Sequence, residues 1–300
     1  MTSRIESGQF AALPNGTRLH YASSGERGKP LLLFVHGFPE FWYAWEAQLQ
    51  AFGGDHFAVA PDLRGFNLSD MPDEVPAYRA RHLVEDLCQL VAELGYERFV
   101  LVAHDWGGAV AWNLAIARPE LLHRLIIINS PHPWLFVQAL THDPEQIAAS
   151  AYMNWLRAEG SESKLAENEF ARMDGFFRDR HSSTLPAWFD KEVRARYHAC
   201  WARGLRGAVN YYRATPLHPA DTSGAGPSTL NLDPESFRVR VPTCVIWGEA
   251  DHALMTSLLD GLEQWVDELV IERIADCSHW IIHEQPDRIN QLIRGFLPEP

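Results

Sequence analysis

One short stretch, residues 98–117, restricts the fold more than any other part of the sequence. An apolar run, "RFVLVAH", is followed by "DWGG" and then by the alanine-rich run "AVAWNLAIA". This pattern predicts a buried strand that turns sharply into a helix, with Asp105 raised out of the sheet at the bend. A turn of this kind is typical of α/β proteins, and it makes Asp105 a candidate reactive group.

Apolar strands alternate with helical patterns on both sides of this stretch. The strand-like runs are "RLHYASSG", "PLLLFVHG", "HFAVAPD" and "LLHRLIIINS", and later "VPTCVIWGEAD" and "ELVIERIADCSH". Strands that are apolar throughout belong to a sheet covered on both faces, and in an alternating chain such a sheet is mostly parallel. Two helices with one apolar stripe each are also indicated, one by Leu83, Leu87, Leu90, Val91 and Leu94, the other by Ile289, Leu292, Ile293 and Phe296.

The pattern changes between residues 134 and 237, where no convincing apolar strand occurs. The segment contains aromatic-rich helical patterns such as "QIAASAYMNWLRAEG" and "KEVRARYHACWARGLRGAVNYYRA". Strands resume after it, so the segment interrupts one α/β core formed by residues 1–133 and 238–300. We expect an inserted helical cap over the carboxyl ends of the strands, where ligands bind in open α/β sheets.

Composition excludes several classes of partner. The net charge of −13 repels phosphate backbones and anionic membranes, so neither nucleic acid nor a membrane surface is an expected partner. No "GxGxxG" phosphate loop occurs, which disfavours a dinucleotide cofactor. The widely spaced Cys88, Cys200, Cys244 and Cys277 have no metal-ligand spacing and suggest reduced thiols.

The chain start carries neither a secretory signal nor an apolar run long enough for a bilayer. These features predict a cytoplasmic protein. The expected assembly is a monomer or a homodimer, and no metal or organic cofactor is expected.

A carboxylate at the bend selects a class of electrophile. Attack by Asp105 on a saturated carbon gives an alkyl ester, which water can cleave, whereas a serine would leave a stable ether. Epoxides and alkyl halides fit this chemistry, and ordinary esters and amides do not.

Ester cleavage requires a base and a group that orients it. His279 follows the last strand-like run, and Asp251 follows the strand before it; Glu249 lies nearer the strand end and is the weaker candidate. The order Asp105, Asp251, His279 is the nucleophile, acid and base order of this architecture. Backbone N–H groups of Phe38, in the turn "VHGFPEFW", and of Trp106 are candidates for an oxyanion hole.

These residues together resemble the α/β-hydrolase-fold epoxide hydrolases. The motifs "HGFPEFWYAW", "APDLRGFNLSD", "HDWGG", "NSPHP", "WGEADHAL" and "SHWIIHEQPDRIN" occur in the family's order along essentially the whole chain. The resemblance implies that Asp105 attacks the epoxide ring, His279 activates water and Asp251 supports His279. It also implies a cis bond between Phe38 and Pro39.

The resemblance further implies two lid tyrosines that hold and protonate the epoxide oxygen. Tyr212 matches the second of them, with Tyr211 as a neighbouring alternative. By spacing, Trp155 takes the place of the first, and its indole can donate a hydrogen bond but no proton. Tyr152 lies one helical turn earlier and is expected to pack within the lid.

Two other functions stay open. A related haloalkane or haloacid dehalogenase would use the same Asp105 and clamp a halide between Trp106 and Trp155, and a ligand-binding protein would need only the pocket. A small apolar epoxide or halogenated compound and water are therefore the expected ligands. His104 is expected to brace the nucleophile turn or to line the back of the pocket.

Overall fold

The computed structural model describes residues 4–178, 184–222 and 224–298. In these residues one sheet of eight strands has the order β1-β2-β4-β3-β5-β6-β7-β8. The strands are β1 (Ile5–Ala12), β2 (Arg18–Ser24), β3 (Leu31–Val35), β4 (Phe57–Pro61), β5 (Phe99–His104), β6 (Leu122–Ile128), β7 (Thr243–Gly248) and β8 (Leu269–Ile274). The β1–β2 and β2–β4 pairs are antiparallel, and all other neighbours are parallel.

The described residues contain eleven α-helices. They are α1 (Glu46–Phe52), α2 (Ala80–Glu93), α3 (Trp106–Ala117), α4 (Pro133–His142), α5 (Pro144–Ala149), α6 (Tyr152–Arg157), α7 (Ser161–Phe176), α8 (Lys191–Trp201), α9 (Arg206–Ala214), α10 (Ile281–Glu284) and α11 (Pro286–Phe296). The backbone of α7 leaves the helical conformation at residues 167–170. None of the described helices is both long and apolar enough to cross a bilayer.

The sheet separates two apolar clusters because successive side chains of a strand point to opposite faces. In β3, Leu33 belongs to one cluster and Phe34 to the other. Helices α2 and α3 cover the first face, and α1 and α11 cover the second. The predicted fold class, a mostly parallel sheet with helices on both faces, is confirmed.

The two predicted helical stripes also face these clusters. All five residues of the α2 pattern are buried, as are Ile289 and Ile293 of α11. Strand β1 was not among the strand-like runs, because its alternation of exposed and half-buried residues gives no continuous apolar signal.

Helices α4 to α9 fall between β6 and β7, and the described part of residues 134–237 contains no strand. The predicted segment "QIAASAYMNWLRAEG" is divided into α5 and α6, with a turn at Ser150 and Ala151. The amide of Gln146, which is fully buried, donates to Ser150 Oγ and to Ala253 O, and its oxygen accepts from Met255 N. This turn is therefore held by a core loop about 107 residues away rather than by local propensity.

The helical segment is anchored to the core through α9. A Cβ on Gly207 would lie 2.4 Å from Gly65 Cα, so the two backbones touch. Tyr211 donates from its hydroxyl to Arg64 O at 2.9 Å, and Arg206 pairs with Asp73. These contacts fix the helix that carries Tyr212.

Candidate active site

Asp105 sits at the bend between β5 and α3, as the sequence predicts, with a left-handed φ of 51° and a ψ of −123°. The bend is crowded. A Cβ on Gly107 would lie 2.3 Å from Val35 O, and one on Gly108 would lie 2.3 Å from Ser130 Cβ. The two glycines of "DWGG" therefore allow the elbow to approach its neighbouring strands.

The structure brings Asp105, Asp251 and His279 together. His279 Nδ1 donates to Asp251 Oδ2 at 2.6 Å, and His279 Nε2 lies 3.5 Å from Asp105 Oδ2. The imidazole thus connects the two carboxylates, one on each ring nitrogen. This is the arrangement of a base oriented by one acid and directed at the other.

Asp251 is fully buried and receives four hydrogen bonds. Besides His279, Asn129 Nδ2 donates at 2.8 Å, and the N–H groups of Ala253 and Leu254 donate at 2.8 and 3.0 Å. Burial by itself raises the pKa of Asp251, but the charge of His279 and these donors outweigh it and lower the pKa. Asp251 is therefore held as the carboxylate.

Burial and charge also act in opposite directions on the pKa of His279. Burial lowers its pKa, but the negative charges of Asp251 and Asp105 and their hydrogen bonds outweigh burial and raise the pKa well above the usual value. The two neighbouring acidic side chains therefore favour the charged form of the His279 imidazole.

The second oxygen of Asp105 faces the predicted oxyanion hole. Phe38 N donates to Asp105 Oδ1 at 2.6 Å. A Cβ on Gly37 would lie 2.2 Å from that oxygen and 2.6 Å from Trp106 N, which places both groups against the same glycine. The Phe38–Pro39 peptide bond is cis, as the resemblance implies.

Two tyrosines face the nucleophile from the helical segment. Tyr212 is 2% exposed, and its ring packs edge-on against the rings of Trp106 and Tyr152, with centroids 5.0 and 6.1 Å away. Burial and the nearby charge of Asp105 raise the pKa of both tyrosines, so both stay protonated. Tyr212 therefore lies where the sequence places it.

The structure corrects the expectation for the first lid position. Trp155 is 36% exposed, stacks beneath Arg172 and lines neither of the cavities at Asp105. Tyr152, which was expected only to pack within the lid, takes the place beside Tyr212 instead. Tyr152 is the first residue of α6 after the turn at Ser150 and Ala151, whereas Trp155 lies three positions later in the same helix and is exposed.

Two further candidates have structural partners. The hydroxyl of Tyr211 donates to Arg64 O, and Tyr211 lines one of the two cavities at Asp105. His104 is fully buried, donates from Nε2 to His279 O at 2.8 Å and lines neither cavity. Of the two expected roles, the contact with His279 O fits a bracing role.

Two cavities meet at Asp105. The Trp106 cavity, of about 490 Å³, has mainly apolar walls that include Leu83, Val110, Phe136, Met153, Leu217 and Leu254. The His279 cavity, of about 400 Å³, is lined in part by the polar residues Asp251, His252, Asp276, Ser278 and Glu284. Asp105, Tyr152 and Tyr212 line both cavities.

A fully buried carboxylate, Glu40, lies behind the site. Glu40 Oε1 accepts from Tyr197 of α8 and pairs with His283 of α10, and Glu40 Oε2 lies 3.4 Å from His104 Nδ1. Burial alone raises the pKa of Glu40, but these histidines outweigh it and lower the pKa far below the usual value. Nothing in the local sequence indicates that Tyr197 or His283 contacts Glu40.

The sequence does carry a signal for Asn129, the partner of Asp251, because Asn129 follows β6 as Asp251 follows β7.

Comparison with known proteins shows the family of this chain. Residues 30–286 match the α/β hydrolase fold family. The chain is 35% identical to the AB hydrolase superfamily protein YfhM of Bacillus subtilis, over 94% of this chain and 95% of that protein. It is 34% identical to human Epoxide hydrolase 4, over 95% of this chain and 77% of that protein.

Solved structures agree. A Bacillus megaterium epoxide hydrolase in complex with an inhibitor superimposes with a TM-score of 0.87 at 32% identity, covering 97% of this chain and 100% of that chain. An epoxide hydrolase from metagenomes of hot environments superimposes with a TM-score of 0.86 at 34% identity, over the full length of both chains. The chain belongs to the epoxide hydrolases of the α/β-hydrolase superfamily.

Proposed function

We propose that this protein converts epoxides to vicinal diols through a covalent ester on Asp105. The observation that carries the proposal is that the two oxygens of the Asp105 carboxylate have different neighbours. Oδ1 accepts from Phe38 N, Oδ2 faces His279, and the Tyr152–Tyr212 pair lines the same two cavities as Asp105. Each group that ring opening and ester hydrolysis require is thus next to one carboxylate.

In the first step Asp105 Oδ2 attacks one ring carbon, and the bond between that carbon and the ring oxygen breaks. The developing alkoxide takes a proton from the Tyr152–Tyr212 pair, whose raised pKa keeps both hydroxyls protonated until the ring opens. The products of this step are a hydroxyalkyl ester and a tyrosinate.

Ester formation removes the charge of Asp105 and so lowers the pKa of His279, which releases its proton to solvent. In the second step the neutral imidazole takes a proton from water, and the resulting hydroxide adds to the carbonyl carbon of the ester. The negative charge that develops on Oδ1 is stabilised by Phe38 N–H and Trp106 N–H. The imidazolium returns its proton to the leaving alkoxide, which departs as the diol. The proton of the regenerated Asp105 acid restores the tyrosine, so the net reaction consumes one water.

The helical segment, residues 134–237, acts in this proposal as a cap that supplies the two tyrosines. The position of Trp155 does not favour the alternative of a halide clamp between Trp106 and Trp155, because Trp155 is exposed and lies outside both cavities.

The test is the intact mass of His279→Gln protein after separate exposure to styrene oxide and to phenethyl bromide. The variant keeps the nucleophile and lacks the base, so the ester accumulates. We expect a mass increase equal to the whole epoxide, with the label on the peptide that contains Asp105.

The matched control is Asp105→Asn, which should show no adduct. A fast adduct from the bromide with none from the epoxide would favour a dehalogenase. The absence of any adduct from the epoxide in His279→Gln, while the wild type hydrolyses it, would contradict a covalent mechanism.

A further inference from the structure

The two cavities at Asp105 differ in their access to the base. Tyr152, Tyr212 and Asp105 line both cavities, so the epoxide ring lies at the junction, between the tyrosines and the nucleophile. His279 lines only the His279 cavity, and Trp106 lines only the Trp106 cavity. The hydrolytic water must contact both His279 and the Asp105 carbonyl.

The His279 cavity meets that requirement. The side chains of His279 and Asp105 are 12% and 14% exposed, whereas that of Asp251 is fully buried. Ser278 and Glu284, hydrogen-bonded to each other, line the same cavity and offer polar partners to water. The Trp106 cavity has mainly apolar walls and does not include the base.

We propose that the His279 cavity is the water path of this protein and that the Trp106 cavity alone receives the apolar group of the substrate. This inference builds on the Asp105 ester proposed above and adds a substrate class. Epoxides with one large substituent place it in the Trp106 cavity and leave the water path open. A second large substituent, on the other ring carbon, occupies the His279 cavity and displaces the water.

The consequence is specific to one step. Bulk in the His279 cavity leaves attack by Asp105 possible but slows hydrolysis of the ester, because the base loses its water. Bulk in the Trp106 cavity slows ester formation instead, because the substrate binds less well. The two effects separate in single-turnover kinetics.

Two positions allow each cavity to be filled separately. Gly175 lines the His279 cavity, and an added Cβ there meets nothing within 4 Å. Ala109 lines the Trp106 cavity. The variants are Gly175→Leu and Ala109→Leu, with Gly175→Ala as a control that makes the same backbone change with little added bulk.

The experiment mixes each protein with styrene oxide, quenches at intervals and follows the ester by intact mass. In Gly175→Leu we expect ester formation close to that of the wild type and ester decay slowed by about tenfold or more. Gly175→Ala should decay like the wild type. Ala109→Leu should form the ester more slowly and hydrolyse it at the wild-type rate.

Substrate size provides a second readout on the wild type. The decay rate of the ester should fall from styrene oxide to trans-β-methylstyrene oxide to trans-stilbene oxide. Three results would each contradict the assignment of the His279 cavity as the water path. They are equal ester decay rates for the three epoxides, failure of trans-stilbene oxide to form an ester, and slowed ester formation with normal decay in Gly175→Leu. Failure of the proposed function looks different, since the wild type and His279→Gln would then form no Asp105 ester with styrene oxide.

Discussion

Asp105 has a left-handed φ that a side-chain-bearing residue rarely adopts, and three glycines make that conformation possible. Gly37, Gly107 and Gly108 each lack a Cβ where one would lie within 2.3 Å of a neighbouring atom. The strain is typical of functional sites, where surrounding packing maintains an unfavourable backbone. It directs the carboxylate away from the sheet and into both cavities.

Among single side chains, the exchange of Tyr152 for Trp155 gives the sharpest prediction. Tyr152→Phe should lower kcat at least about tenfold on styrene oxide, because the variant lacks one of the two hydroxyls that are proposed to hold the ring oxygen. Trp155→Phe should change kcat little, since Trp155 is exposed and lines neither cavity. The measurement is steady-state kinetics of the two variants side by side.

Equal losses in both variants would contradict the placement of Tyr152. A loss confined to Trp155→Phe would restore the assignment that the sequence spacing suggests. Circular dichroism and the melting temperature serve as controls for folding.

His279 gives a prediction about pH. In the free protein the charges of Asp251 and Asp105 raise its pKa, and ester formation removes the charge of Asp105. The imidazole of the ester therefore has a lower pKa than that of the free protein. Because only the neutral imidazole accepts a proton from water, ester decay should increase with pH, with a midpoint below the pKa of His279 in the free protein.

The measurement compares single-turnover decay across pH with an NMR titration of the His279 imidazole. Asp105→Asn, which also lacks the charge, should titrate lower than the wild type. A decay midpoint at or above the free-protein pKa would show that Asp105 does not contribute to the shift.

At the scale of elements, α9 joins the helical segment to the core. Its N-terminal turn lies against the loop after β4 through Gly65 and Gly207, and Tyr211 and Arg206 add polar contacts. The position of Tyr212 is thereby determined by the core, although Tyr212 belongs to the inserted segment.

Gly207→Ala tests this junction. An alanine normally stabilises a helix relative to glycine, but here its Cβ would lie 2.4 Å from Gly65 Cα. We expect the free energy of unfolding to fall by about 1–3 kcal/mol, as for other overpacked sites, and kcat to fall because Tyr212 shifts.

Urea unfolding and steady-state kinetics measure the two effects. Gly295→Ala, where an added Cβ meets nothing within 4 Å, should leave the free energy of unfolding unchanged or slightly higher. An equally stable and active Gly207→Ala protein would mean that α9 can move without cost.

At the scale of the whole molecule, Glu40 joins three separate parts. It pairs with His283 of α10, accepts from Tyr197 of α8 and lies beside His104 at the end of β5. The core, the helical segment and the loop carrying His279 thus share one buried carboxylate.

Glu40→Gln should lower the free energy of unfolding at neutral pH by about 3 kcal/mol, because the buried negative charge that faces His283 and His104 is removed. The pKa of Glu40 is lowered by folding from its usual 4.5, so the stabilisation is present above that pH and is lost as the pH falls. The difference between wild type and variant should therefore shrink on acidification.

The difference in the free energy of unfolding between wild type and Glu40→Gln is measured by urea unfolding at neutral pH and at several pH values below 4.5. Glu120→Gln, which breaks an exposed pair with Arg118, is the control and should have little effect. A difference that is constant with pH would argue against an ionised Glu40.

The sequence by itself predicted the strands from β2 to β8, the place of the helical segment and the residues Asp105, Asp251 and His279. These features depend on local signals, because an apolar run, a sharp turn and the residue just after a strand can each be recognised within about ten positions. Parallel strands then bring their carboxyl ends to one edge, which assembles the three side chains.

Only the tertiary structure decided which aromatic side chain faces Asp105 and what surrounds Glu40. Gln146 holds the turn before Tyr152 through contacts with Ala253 and Met255. Glu40 contacts Tyr197 and His283 across 157 and 243 positions of the chain. Such contacts form between segments that carry no sequence signal for each other, so spacing along the chain favours Trp155 where the folded chain has Tyr152.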